Sequence, residues 1–108
     1  MANICNNRFF FCCENNSCKY VNLFNELKDK FSYFMFDVID YDDKFCTIEG
    51  EFESKWTFPA DIFEDLDFKE EDDCYFRCLS EEYGCEYVAM NIYKDGEWKD
   101  EQCFDLWK

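Results

Sequence analysis

The sequence predicts an α+β sandwich: one antiparallel sheet with two helices on one of its faces, in a single domain over 1–108. Three observations predict it. Residues 46–57 alternate strictly, with Cys46, Ile48, Gly50, Phe52, Ser54 and Trp56 on one side and Thr47, Glu49, Glu51, Glu53, Lys55 and Thr57 on the other, the signature of a half-buried strand. Tyr20, Phe24, Leu27 and Phe31 recur at helical spacing, an apolar stripe of the kind that packs on a sheet. The chain also holds 14 Phe, 7 Tyr and 3 Trp. Acidic disordered chains lack aromatics, whereas each of these rings can bury about 150–250 Å².

Taken in order, residues 4–13 read as a strand, because Phe9, Phe10, Phe11, Cys12 and Cys13 form an apolar run suited to a strand that is central or buried on both faces. Residues 14–17 form a turn, and Ser17 is the expected N-cap of the helix that carries Tyr20 to Phe31. Tyr33 to Phe36 begin either a strand or a packed loop. Asp37, Asp40, Asp42 and Asp43 with Lys44 read as an exposed loop. After the 46–57 strand, Pro59 opens a second helix with Ile62, Phe63 and Leu66 inside and Asp61, Glu64, Asp65 and Asp67 outside. Cys74, Phe76 and Cys78 alternate with Tyr75, Arg77 and Leu79 in the next strand. Residues 81–85 turn, and 86–93 form a strand with Val88, Met90 and Ile92 on one face. Lys94-Asp95-Gly96 is a turn, and 98–107 close the chain as a short strand or helix with Phe104 and Trp107 packing. This order is that of a ferredoxin-like sandwich, in which one sheet face stays uncovered.

Charge narrows the function. Acidic residues outnumber basic ones 26 to 11, for a formal net charge of −15. Residues 1–30 carry +1 and residues 31–108 carry −16. A folded polyanion repels nucleic acid and lipid headgroups and attracts proteins with basic surfaces, so neither direct nucleic-acid binding nor membrane binding is expected. Glu49, Glu51 and Glu53 form a row about 7 Å apart on one strand face, close to the about 6–7 Å expected between successive phosphates of a nucleic-acid strand. Seven of the ten residues 64–73 are acidic. Such a run at a helix C-terminus and beyond costs stability by self-repulsion, which favours a role in binding. The candidate partner-binding residues are therefore Glu49, Glu51, Glu53, Asp61, Glu64, Asp65, Asp67, Glu70, Glu71, Asp72, Asp73 and the aromatic Tyr75.

Catalysis finds no constellation. The chain has no His, which removes the usual Ser-His-Asp and Cys-His arrangements. None of its four serines lies in a nucleophile elbow, and its three glycines cannot form a phosphate-cradling loop. The nine cysteines include no Cys-x2-Cys pair. Their odd number, with no secretory leader or membrane span visible, fits reduced thiols in a cytoplasmic protein. No cofactor is expected; Cys12, Cys13 and Cys18 are the weak candidates for a metal.

Some segments carry a family likeness. The opening, with Asn3, Cys5 and Asn7 in an Asn-x-Cys-x-Asn pattern, resembles the start of the YubB-like proteins, small plasmid and phage proteins with a ferredoxin-like domain. Residues 52–59, which run from Phe52 through Trp56 to Pro59, are similar to that family's strand before its helix, and Glu82 to Gly84 and Tyr93 to Gly96 resemble its later strand-turn-strand. The chain departs from the family in its acidity and extra cysteines. The resemblance implies the fold and a mobile-element origin, and it implies no catalytic residues.

The expected function is that of a non-catalytic acidic inhibitor, an anti-CRISPR or other anti-defence phage protein acting in the host cytoplasm. It would occupy the basic nucleic-acid surface of a host nuclease or CRISPR effector as a DNA mimic. The alternatives are an acidic structural or regulatory protein-binding module without mimicry, in which acidity serves solubility, and a Cys-ligated metal protein.

Overall fold

The computed structural model describes residues 4–55, 57–66, 68–82 and 87–101. They form a six-stranded, fully antiparallel sheet in the order β2-β3-β1-β4-β5-β6, with two helices. The strands are β1 (Ile4–Cys13), β2 (Phe34–Tyr41), β3 (Cys46–Lys55), β4 (Tyr75–Glu82), β5 (Tyr87–Lys94) and β6 (Glu97–Glu101). Helix α1 (Ser17–Leu27) connects β1 to β2, and the short α2 (Ala60–Glu64) lies between β3 and β4.

Strand β1 is central, paired with β3 on one side and β4 on the other. Its odd residues, Cys5, Asn7, Phe9, Phe11 and Cys13, are buried beneath the helices. Its even residues face the other way and are exposed or half-buried. The continuous apolar run therefore marks a central strand, and its outer side is covered only in part. There Phe10 lies under the Arg77 guanidinium at 5.0 Å and meets the Tyr75 ring edge-on at 6.3 Å.

Both helices pack on the same side of the sheet. Phe24 of α1 stacks on Phe9 at 5.4 Å, and Phe63 of α2 stacks on Phe52 and Phe76 at 5.4 and 5.0 Å. Such rings at centroid distances of 4.5–7 Å add attraction beyond the area they bury. Trp98 of β6 closes the far end of this layer against Phe76 and Tyr93. Asn7 is one of the polar side chains buried among the described residues. Its amide donates to Phe52 O and Ser54 Oγ and its oxygen accepts from Ser80 Oγ, so strands β3, β1 and β4 are cross-tied.

Several expectations change. Ser17 is not the N-cap: Asn16 holds that position in a left-handed conformation, φ 61°. Ser17 is instead buried in the first turn, where its hydroxyl donates to Asp42 O at 2.6 Å and ties α1 to the β2–β3 turn. Phe31 lies past the helix, behind a 3₁₀ turn at Lys28–Lys30, and is half-buried. Residues 34–41, expected as a loop from Asp37 onward, are the edge strand β2, with a bulge between Val38 and Asp40. Strand β4 runs on to Glu82. In β5 Val88, Met90 and Ile92 share one face as expected, but it is the face away from the helices; the residues under the helices are Ala89 and Tyr93. Asp95 and Gly96 both have positive φ, 54° and 79°, as a two-residue type I′ hairpin requires. Trp56, Asp67, Gly84, Phe104 and Trp107 fall outside the described residues.

Candidate functional site

Strand alternation sends the even-numbered side chains of β3 under the helices and the odd-numbered ones to the uncovered face. Glu49, Glu51 and Glu53 therefore stand in one row on that face, about 7 Å apart. Neighbouring strands add to it. Asp37 of β2 is directly opposite Glu49, Met35 is opposite Glu51, and Arg8 of β1 flanks Glu51 from the other side. Together Met35, Asp37, Glu49, Glu51 and Arg8 rim a shallow depression of about 330 Å³ over Gly50.

Arg8 does not neutralise the row. Its Nη2 donates to Glu81 Oε1 of β4 at 2.9 Å. Glu51 accepts from the Tyr33 hydroxyl at 2.8 Å, and that carboxylate holds the Tyr33 phenol above its usual pKa. Asp37 and Glu49 are like charges in direct cross-strand register, an arrangement that destabilises a sheet. With Arg8 and Arg77 at the centre of the face, the acid is concentrated on its β2–β3 half.

The other candidates lie elsewhere. Asp61, Glu64 and Asp65 are exposed on α2 and its C-cap, in the layer on the opposite side of the sheet. Glu71 and Asp73 are exposed at the end of β1, where with Glu14, Tyr75, Lys94 and Asp95 they line a cleft of about 740 Å³. Glu70 opens the short 3₁₀ turn Glu70–Asp72, and Asp67 is outside the described residues. The acidic residues thus form three separate regions, of which Tyr75 borders only the cleft at the end of β1.

Asp72 leaves the candidate surface altogether, being only 2% exposed. Its carboxylate accepts from Tyr20 Oη at 2.6 Å and from Asn16 Nδ2 at 2.8 Å, with Lys19 Nζ at 3.9 Å. Tyr20 Oη in turn accepts the Lys69 amide at 3.1 Å. This carboxylate anchors the 3₁₀ turn to α1, a structural role that a count of charges cannot reveal.

The cysteine trio is also divided. Cys12 and Cys13 are consecutive in β1 and point to opposite faces, and Cys18 is exposed on α1. Among the described residues no three Cys, Asp or Glu side chains are grouped to hold a metal ion. Cys13 instead meets Cys46 of β3, Sγ to Sγ at 3.5 Å. Burial pushes the Cys12 thiol above its usual pKa.

Residue-by-residue reading of the sequence missed Asp37, Met35 and Tyr33. Their signal was the Phe34/Phe36 alternation, too short against the aspartates that follow. Comparisons with family models, curated proteins and solved structures give no match for this chain. No helix among the described residues is long and apolar enough to cross a membrane.

Proposed function

We propose that the protein is a non-catalytic acidic inhibitor of mobile-element origin, an anti-CRISPR or other anti-defence protein. It occupies the basic nucleic-acid-binding surface of a host nuclease or CRISPR effector by imitating phosphate charge. One observation carries this reading: Glu49, Glu51 and Glu53 stand in register on an uncovered sheet face with Asp37 opposite Glu49. Packing does not call for that arrangement, and like charges placed opposite one another oppose folding. A row of carboxylates at near-phosphate spacing on a rigid strand is what a phosphate-binding channel would accept. The ferredoxin-like reading of the fold belongs to the same proposal. The order β4-β1-β3-β2, with α1 and α2 as crossovers on one face, supports it, and β5 and β6 extend the sheet beyond β4.

The test uses purified nucleases and CRISPR effectors whose nucleic-acid channels are basic. The protein is titrated against each in competition with its duplex or guide-bound target. Displacement that weakens at least about tenfold for E49Q/E51Q/E53Q, and that falls steeply with salt, supports the reading. A triple variant that displaces nucleic acid as well as the wild type overturns it and leaves acidity as a source of solubility.

A further inference from the structure

Six large apolar side chains are exposed among the described residues, and five of them lie in one stretch. Met35, Val38, Ile39 and Tyr41 are on β2 and Phe45 is in the turn after it, each between 38% and 59% exposed. Among the described residues, strand β2 ends the sheet and is paired on one side only, by β3. The Glu53 amide donates to Tyr33 O at 3.2 Å, which makes Tyr33 and Glu53 a hydrogen-bonded pair. Such pairs alternate along antiparallel strands, so Met35 and Asp37 also bond toward β3, and Phe34, Phe36 and Val38 direct their N–H and C=O outward. The regular edge runs to Val38, where the bulge begins.

An edge with unpaired backbone groups and apolar side chains is a template for another strand. Charge decides which strand. Residues 31–43 contain Asp37, Asp40, Asp42 and Asp43 and no Lys or Arg. A second copy would bring these aspartates against the same four, so the acid acts as a guard against self-pairing. A strand with basic side chains on the uncovered-face side and apolar ones on the helix side would meet Asp37 on one face and Phe36 and Val38 on the other.

We propose that the outer edge of β2 receives an extended strand of the partner protein, with Lys or Arg at alternate positions and apolar side chains between them. The sign of the partner's charge rests on the function proposed above; the edge geometry does not depend on the glutamate row. Backbone pairing would supply affinity, and the alternation would supply register.

An end-blocked, fluorescently tagged peptide of alternating Lys and Val is the probe, with a peptide of the same composition and grouped lysines as control. Binding to the intact protein is read by anisotropy, and its location by amide chemical shifts. The expected result is binding at low salt with shifts centred on 34–38, at least about tenfold tighter than for the grouped peptide. Val38→Pro removes an outward N–H without touching a β3 bond, and it should weaken binding by at least about tenfold. Should Val38→Pro fail to fold, Asp37→Lys, which leaves the backbone donors in place, should lose the same preference. Equal binding of the two peptides, shifts centred on β6, or a dimer that Val38→Pro dissolves would each overturn the proposal, the last by making the occupant a second copy. E49Q/E51Q/E53Q removes charge from the same face and weakens both peptides at low salt, but it should keep the preference for the alternating peptide and the shifts centred on 34–38, and loss of that preference there would also overturn the edge. Failure of that variant in the displacement assay alone bears on the function proposed above and leaves the edge intact.

Discussion

Asp72 and Gly50 are residues whose surroundings, not their types, set their roles. Asp72 belongs to the most acidic run in the chain, yet it is buried and takes hydrogen bonds from Tyr20 and Asn16. Replacing it with Ala strands a buried phenol and an amide, so Asp72→Ala should destabilise by about 2–4 kcal/mol in denaturant unfolding. Asp65→Ala, on the exposed C-cap of α2, should stay within about 0.5 kcal/mol. Gly50 answers to close approach. A Cβ there would collide with Met35 O and lie 2.7 Å from the Phe9 ring. The carbonyl belongs to the β2 backbone and cannot swing aside, so Gly50→Ala must push β2 from β3. A loss of about 1–3 kcal/mol is expected, as for an overpacked core. Neither role could be read from sequence, because each depends on a neighbour distant in the chain.

The strands show what made elements legible. In β3 the alternation held because one face is under the helices and the other is open, and its inward and outward residues fall as the pattern required. β2 starts the same way with Phe34 and Phe36, but as an edge strand it exposes side chains on both faces beyond them. Its hydrophobic pattern fades and its aspartates read as loop. The split of the acidic candidates has the same origin, since composition counts charge while the sheet decides which side it faces. Burial of thiols along the strands has a measurable consequence. Under the helices, Cys78 of β4 is pushed up to about 12 and Cys74 just before it to about 11, both by desolvation, from the usual 9.0. The folded state thus holds these protons more tightly than the unfolded chain does. Their contribution is complete below pH 9 and is lost as pH rises from 9 toward 12. Unfolding free energy should fall across that window by up to about 1.4 kcal/mol per pH unit per thiol. Cys78→Ala should be less stable at neutral pH but show a shallower alkaline fall.

At the scale of the molecule, a formal charge of −15 on 108 residues must repel itself. Screening should relieve that repulsion, so the melting temperature should rise between about 0.05 and 0.5 M sodium chloride; a flat or falling curve would mean that the charges are locally compensated. Binding should move in the opposite direction, weakening over the same range, because screening removes the attraction to a basic partner. E49Q/E51Q/E53Q separates the two effects. It removes three charges from a face that no helix among the described residues covers, so it should fold at least as stably as the wild type. The most direct measurement is therefore displacement of nucleic acid from a basic effector by the wild type and by this variant, at matched stability and low salt. The account predicts at least about tenfold weaker displacement by the variant; equal displacement by a folded variant would contradict it.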